Sequence, residues 1–142
     1  MDSEKPDFSI LDHTSDLGIT VRGPNLKKLF EWAAKSMTQI MVSSEPSLEP
    51  KVVEISIPGT DLADLMVRWL GEILYLFAGE KEVVTDIEID SIIPSHLHAT
   101  LTTVPFDPNL HEILYEIKAV TYHQIEVTEK ANNWEARIIF DL

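Results

Sequence analysis

Stretches in which apolar and polar residues alternate with a period of two dominate the chain. Because successive side chains of a strand point to opposite faces, this alternation predicts strands with one buried face and one face in water. Such strands pair most readily into an antiparallel sheet that is wet on one side. The predicted strands cover residues 53–57, 86–90, 97–101, 113–119, 125–127 and 134–141, with a shorter strand at 17–21.

Two longer segments repeat their apolar residues at the helical spacing of three and four. This spacing predicts helices over residues 26–41 and 62–78, each with one apolar face that needs a surface to pack on. Asn25 is the expected N-cap of the first helix, and Thr60 or Asp61 that of the second. Gly79 is expected to end the second helix in the left-handed conformation, which glycine adopts without steric cost.

The order of these elements predicts an α+β fold with two helices packed on a mostly antiparallel β-sheet. Along the chain it is strand, helix, strand, helix, and then four or five strands. The length fits a single domain over residues 1–142, of which we expect residues 1–7 to be disordered. A linker is predicted at residues 43–50, a loop at residues 104–110 and a tight turn at Asn132-Asn133.

Charge and composition narrow the classes of function. The chain has 24 Asp and Glu against 11 Lys and Arg, and this formal net charge of −13 argues against direct binding to nucleic acid or anionic membranes. The absence of cysteine excludes a disulfide framework and a zinc ribbon. The first residues are polar, and the longest apolar run is too short and too polar to span a bilayer. We therefore expect a soluble cytoplasmic protein.

Three segments concentrate the residue types that carry chemistry. Residues 12–18 hold two carboxylates, Asp12 and Asp16, beside His13 and two hydroxyls, and hard divalent cations prefer such oxygen ligands. A polar turn that leads into a strand is the simpler explanation of the same residues. Residues 119–123 end in Tyr122-His123, where the imidazole is either a ligand or base or a hydrogen-bonded structural group.

The third segment is residues 137–142, the end of the last predicted strand. Asp141 and the backbone oxygens around it are oxygen donors close together, although an exposed acidic tail is the simpler interpretation. Two further patterns are weaker. His96 and His98 share one strand face and could form a metal pair, and an acidic row on another strand could meet a basic partner or keep an edge solvated. That row consists of Asp86, Glu88 and Asp90.

Taken together, these segments resemble the archease family. Residues 12–18 are similar to its D-H-T-A-D-x-G signature, with Ser15 in place of the usual Ala. Residues 107–112 and 116–123 resemble the block D-P-x-x-H…E-(I/V)-K-A-(V/I)-T-Y-H, with Leu110 where a basic residue commonly stands. Residues 134–142 resemble the closing W-x-A-x-(V/I)-x-x-D-(L/I). The resemblance covers nearly the whole chain in the same order.

The resemblance implies a protein cofactor rather than an enzyme. Archeases assist the RtcB-type RNA ligase of tRNA splicing: they promote its guanylylation and multiple turnover and broaden its use of nucleotides. The family binds a divalent cation, calcium among them. Matched residue by residue, its ligands correspond to Asp16, Asp141 and the backbone carbonyl of Leu142, with Asp12 as a neighbour that could contribute. No ligation is implied for His13, His111 or His123.

A shared cation would also explain why the two acidic segments converge, because two unpaired carboxylates would repel each other. The leading hypothesis is therefore an archease-type activator of an RNA ligase that binds a divalent cation, expected to be calcium. Two alternatives stay open. One is a small metal-dependent hydrolase built on Asp16, Asp141, His13 and His123, and the other is a general chaperone or assembly factor without a metal.

Overall fold

The computed structural model describes residues 5–12, 16–43 and 49–142, without the side chains of Leu11 and Asp12. It confirms the predicted α+β class, with all strand pairings antiparallel. Residues 13–15, which include His13, and residues 44–48 of the predicted linker lie outside these ranges. Ten elements follow in the order β1 (Asp7–Asp12), β2 (Asp16–Gly23), α1 (Leu26–Met41), β3 (Lys51–Pro58), α2 (Leu62–Ala78), β4 (Glu82–Ile93), β5 (His96–Pro105), β6 (Ala119–Val120), β7 (Glu126–Glu129) and β8 (Trp134–Asp141).

The strands form two sheets rather than the single sheet that we expected. One has three strands in the order β3-β5-β4. The other has five, in which β2 lies between β1 and β8, while the far edge of β8 pairs with β7 along its first half and with β6 at its end. The strand period fixes which residues are buried, but it carries no information on how strands are grouped.

Both helices contact strands of both sheets, and their apolar faces join one continuous core. Helix α1 contacts β2, β4 and β8, and α2 contacts β3, β4, β6 and β7. The two helices are also linked directly, since the buried indole N–H of Trp69 donates to the carbonyl of Phe30 at 2.9 Å. Within the described ranges, no helix combines the length and the apolar character that a bilayer crossing requires.

The predicted helix boundaries are confirmed at both helices. Asn25 caps α1 by accepting from the backbone N–H of Lys28 at 2.9 Å, and Asp61 rather than Thr60 caps α2 by accepting from that of Asp64. Gly79 does end α2, but its φ of −94° is right-handed, so the predicted left-handed conformation is wrong. An added Cβ there would lie 2.5 Å from the ring of Tyr75, so a larger residue would require that exposed ring to move.

One strand prediction needs correction. Residues 113–119 alternate like a strand, yet only Ala119–Val120 joins a sheet, and Ile113 and Tyr115 are about half exposed. The alternation there buries Ile117 alone, so this segment presents no continuous apolar face to a sheet. At the other end, residues 1–4 lie outside the described ranges, and Asp7, within the segment expected to be disordered, already begins β1 and pairs with Arg22.

Candidate metal site

The neighbouring strands β2 and β8 bring the two aspartates of the predicted metal site together. In the β2–β8 ladder, Asp16 lies directly opposite Asp141, and Leu17 lies opposite Phe140. Directly opposed residues of an antiparallel pair project to the same face, with Cβ atoms about 5 Å apart. Leu17 and Phe140 are buried in the core, so the two aspartates occupy the opposite face of the sheet. The register therefore places two carboxylates side by side.

This pairing is electrostatically unfavourable unless something neutralises it. Further along the same face, the opposed pair Arg22 and Glu135 carries opposite charges, with Arg22 Nε 3.4 Å from Glu135 Oε2. At the aspartate pair, no basic side chain within the described ranges forms an ion pair with either carboxylate. Moreover, Asp16 Oδ1 is buried and has no hydrogen-bond partner among those residues. A buried, unpaired carboxylate oxygen beside a second carboxylate fits a bound cation.

The backbone around Asp141 is held from both sides. Asp141 pairs with Asp16 on β2 and with Ala119 on β6, and its carbonyl accepts from the N–H of Lys118 at 2.8 Å. Leu142 follows the last paired residue of β8 and packs against the edge of the core. Asp12 ends β1 and pairs with Leu17, the residue that follows Asp16 in β2. The backbones of the four predicted site residues thus lie at the same end of the five-stranded sheet.

The protein ligands visible there are nevertheless few. In the described part of the chain, no three side chains of His, Cys, Asp or Glu are grouped so as to hold a metal ion. Calcium takes six to eight oxygen ligands, among them backbone carbonyls and water. Backbone carbonyls, water or groups of residues 12–16 would have to complete the ligand set that the two aspartates begin. Within that segment, residues 13–15 lie outside the described ranges.

Of the histidines singled out in the sequence, those that the structure describes do not join this pair. His123 is exposed, and its N–H donates to Thr121 Oγ1 at 3.2 Å. His111 is 4% exposed; its Nδ1 accepts from the N–H of Asp107, and its buried Nε2 finds no partner in the described ranges. On the three-stranded sheet, His98 lies between two carboxylates. Its Nδ1 is 3.0 Å from Asp90 Oδ2, and its Nε2 is 3.3 Å from Glu54 Oε1.

The acidic row and the His96/His98 pair therefore belong to an exposed strand face. Asp86 and Glu88 are opposite Thr102 and Thr100 in the β4–β5 ladder, whereas Asp90 falls at a register shift. There its Oδ2 accepts from Thr100 Oγ1 at 2.7 Å. His96 is exposed at the start of β5. Asp90 is thus a hydrogen-bonded surface side chain, and Asp86 and Glu88 are exposed side chains of the same strand.

A contact that the sequence did not reveal fixes the segment beside Asp141. The hydroxyl of Tyr122 donates to Asp64 Oδ1 at 2.6 Å, and the backbone N–H of Thr60 and Nε of Arg68 both donate to Oδ2 at 2.9 Å. Asp64 is recognisable in the sequence only as an acidic residue in the first turn of α2. Its hydrogen bond to Tyr122 ties the end of β6 to the N-terminus of that helix.

These donors hold the pKa of the Asp64 carboxyl at about 2, below the usual 3.8, mainly through the Tyr122 hydrogen bond. A lowered folded-state pKa contributes stability that is present above the unfolded pKa and is lost as the pH falls through the folded one. We expect Asp64→Asn to be less stable than the wild type at pH 7. The deficit should shrink between about pH 4 and pH 2.

Thermal unfolding from pH 7 to pH 2 measures this deficit. Asp86→Asn, on the exposed face of β4, is the matched control and should differ little from the wild type across the range. Tyr122→Phe should reproduce much of the Asp64→Asn effect, since it removes the largest contribution to the shift. A deficit that is equally large at pH 2 and pH 7 would show that Asp64 acts by packing rather than by charge.

Comparison with known proteins places this arrangement in context. The model of the Archease protein family (MTH1598/TM1083) matches residues 8–142. "Protein archease" of Methanosarcina barkeri is 31% identical over 100% of both chains. "Protein archease" of Sulfurisphaera tokodaii is 32% identical over 95% of this chain and 98% of its own.

Two solved structures share the fold. The solution structure of Methanobacterium thermoautotrophicum protein 1598 is 30% identical, with a TM-score of 0.71 over 95% of this chain and 98% of that one. The crystal structure of an archease, possible chaperone, from Thermotoga maritima has a TM-score of 0.62 at 18% identity, over 100% of this chain and 99% of that one. The two helices and two sheets described above are therefore an architecture already seen in solved proteins.

Proposed function

The chain belongs to the archease family, and from that premise we propose that it is a non-enzymatic activator of an RtcB-type RNA ligase. It promotes guanylylation of the ligase and its multiple turnover in tRNA splicing, and it broadens the ligase's use of nucleotides. The proposal is supported by the match over residues 8–142 and by relatives aligned over the full chain length.

The activity depends, in this proposal, on a divalent cation held by Asp16, Asp141 and the carbonyl of Leu142. The observation that carries this part is the direct opposition of Asp16 and Asp141, with one buried carboxylate oxygen lacking a partner in the described ranges. Hard oxygen donors favour calcium or magnesium, and calcium readily takes backbone carbonyls among its six to eight ligands. When bound, the cation would offset the negative charges of the two carboxylates.

The acidic surface is suited to a protein partner with positively charged regions. With a net charge of −13, the chain would be repelled by RNA but attracted to the basic parts of an enzyme that binds RNA. The ligase would keep the chemistry of nucleotide transfer and sealing. The activator would act on the ligase in the cytoplasm, where both would be present.

Guanylylation of the cognate ligase with radiolabelled GTP tests the proposal. We expect the protein to raise the rate of ligase–nucleotide formation and the number of turnovers on a cleaved tRNA substrate. The double variant Asp16→Asn/Asp141→Asn is expected to lose about tenfold or more of this stimulation, since both charged ligands are removed. Asp7→Asn, an exposed carboxylate at the other end of the same sheet, is the matched control.

The outcomes separate the proposal from its alternatives. No change in ligase turnover on addition of the wild-type protein would overturn it. Full stimulation by the double variant would favour a chaperone or assembly factor that needs no metal. Hydrolysis of a phosphodiester substrate by the isolated protein, lost in the double variant, would favour the metal-dependent hydrolase.

A further inference from the structure

An apolar groove opens on the surface of the molecule. It lies between the end of α2, the loop that follows β5 and the irregular segment before β6, and it has a volume of about 350 Å³. This volume is at the lower end of the range found for clefts that bind ligands. The groove is lined by apolar side chains of Met41, Phe77, Phe106, Ile113, Tyr115 and Ile117.

The segment along one side of the groove exposes an unusual number of large apolar side chains. Leu110, Ile113, Leu114 and Tyr115 are 42%, 51%, 49% and 47% exposed. Nine large apolar residues in the described ranges are exposed to this degree, and four of them fall within these six positions. A cluster of exposed apolar side chains beside a groove marks an interaction surface more often than a solvent-facing one.

This segment is nevertheless held in a fixed conformation. The N–H of Leu114 donates to the carbonyl of Met41 at 2.8 Å, and that of Ser43 donates to the carbonyl of Glu112 at 2.9 Å. The N–H of Glu112 also donates to Ser43 Oγ at 2.8 Å. The backbone is thus pinned to the end of α1 while the side chains stay exposed. A surface ordered in advance loses less conformational entropy on binding.

The floor of the groove is equally fixed. The rings of Phe77 and Phe106 meet edge to face with centroids 5.6 Å apart, and Phe106 stacks on His111 at the same distance. The buried His111 imidazole in turn accepts the N–H of Asp107, so its position is set by the loop itself. The aromatic floor of the groove therefore keeps its shape without an occupant.

The groove also carries positive charge in a strongly acidic protein. Lys81 and Lys118 both line it, with Glu116 as a single carboxylate. Lys81 Nζ donates to the carbonyl of Ala78 at 3.3 Å, and in the described ranges neither lysine has an ion pair. Since acidic residues outnumber basic ones 24 to 11 in the chain, two unneutralised lysines at one groove favour an occupant with a carboxylate.

We propose that this groove is a docking site for a short segment of the partner protein. The segment inserts one large apolar side chain between Phe77, Ile113 and Tyr115 and sets a neighbouring carboxylate against Lys81 and Lys118. For the identity of the partner, the RNA ligase, this inference rests on the proposed function. The docking site uses neither Asp16 nor Asp141, although it adjoins them, since Lys118 lines the groove and its backbone N–H donates to the carbonyl of Asp141.

Binding of the cognate ligase to variants on and off the groove tests the inference. Ile113→Asp and Lys81→Glu should each raise the dissociation constant by about tenfold or more, as substitution of a residue that carries much of the binding energy does. The matched controls are Ile93→Asp on β4, where the side chain is 57% exposed, and Lys27→Glu on the exposed face of α1. Both controls should stay within about twofold of the wild type. Equal losses in groove and control variants would overturn the inference.

A second measurement does not depend on the ligase. Selection of a phage-displayed random heptapeptide library on the immobilised wild-type protein should enrich sequences with a large apolar residue next to Asp or Glu, and Ile113→Asp should abolish this enrichment. No enrichment, or enrichment that Ile113→Asp retains, would overturn the docking site even if the ligase binds elsewhere. Failure of the ligase to bind the wild type, with the peptide motif intact, would instead count against the proposed function alone.

Sedimentation of the wild type at micromolar concentration covers the remaining occupant. A dimer that Ile113→Asp dissociates would assign the groove to a second copy of the chain and overturn the inference. A monomer whose calcium affinity is unchanged by Ile113→Asp would agree with a docking site separate from the aspartate pair.

Discussion

Replacing Asp16 and Asp141 together by asparagine is expected to abolish tight calcium binding, with a loss of about a hundredfold or more in affinity. Both substitutions keep the size of the side chain but remove its charge. Because the two side chains project from directly opposed positions, each is expected to contribute an oxygen to the same ion. Calorimetric titration of the metal-free protein with calcium measures this loss of affinity.

The same substitutions should change stability in opposite directions with and without the cation. In chelator, the variant loses the repulsion between two opposed carboxylates and is expected to be as stable as the wild type or slightly more so. At calcium concentrations about a hundredfold above the dissociation constant, the wild type alone gains about 2.7 kcal/mol. Thermal unfolding in chelator and in calcium gives both comparisons.

Asp7→Asn is the control for the loss of a carboxylate on this sheet, because Asp7 pairs with Arg22 rather than with another acid. It should retain the full gain in stability from calcium. If calcium stabilised the double variant as much as the wild type, the aspartate pair would not be the binding site. If the double variant were less stable even in chelator, the carboxylates would be structural.

The largest loss of stability is expected from Trp69→Ala, at about 3–5 kcal/mol. Trp69 is fully buried, and its indole N–H donates to the carbonyl of Phe30 across the two helices. Alanine would leave a large cavity and a buried carbonyl without its donor. Since domains of this size are stable by only about 5–15 kcal/mol, urea unfolding should show a much lower midpoint.

Two further variants separate packing from general damage to α2. Trp69→Phe keeps an aromatic ring but removes the hydrogen bond, so its loss should be smaller than that of Trp69→Ala. Tyr75→Phe alters a side chain of the same helix that is 53% exposed, and it should change stability by only about 0.5 kcal/mol. A Trp69→Ala protein as stable as Tyr75→Phe would contradict the role of the indole in joining the helices.

The parts of the fold that follow from local pattern were predictable. Both helices begin and end where the apolar repeat and the caps Asn25 and Asp61 indicate, because these signals lie within the helix itself. The alternation at residues 113–119 indicated a strand that is not formed, because only Ala119–Val120 joins a sheet. The separation into two sheets depends on how strands find partners distant in sequence, which no local pattern encodes.

The candidate site shows the same division. Asp16 and Asp141 could be singled out as acidic residues at the ends of predicted strands, and the family resemblance joined them. Their direct opposition is a matter of register between strands that lie at opposite ends of the chain. The Tyr122–Asp64 contact and the groove beside Ile113 were not predicted, since both arise where an irregular segment meets the helices.

The position of β8 in the five-stranded sheet also has a consequence for how the protein folds. The strands of the three-stranded sheet and α2 lie between Lys51 and Pro105, so these elements can assemble from neighbouring parts of the chain. β2, in contrast, pairs with β8, which lies more than a hundred residues later in the sequence. Contacts of such long sequence separation form slowly. Until β8 is inserted, the apolar row of β2 and one edge of that strand remain available for misassociation. A newly made chain is therefore most vulnerable to aggregation in the interval before its last strand arrives.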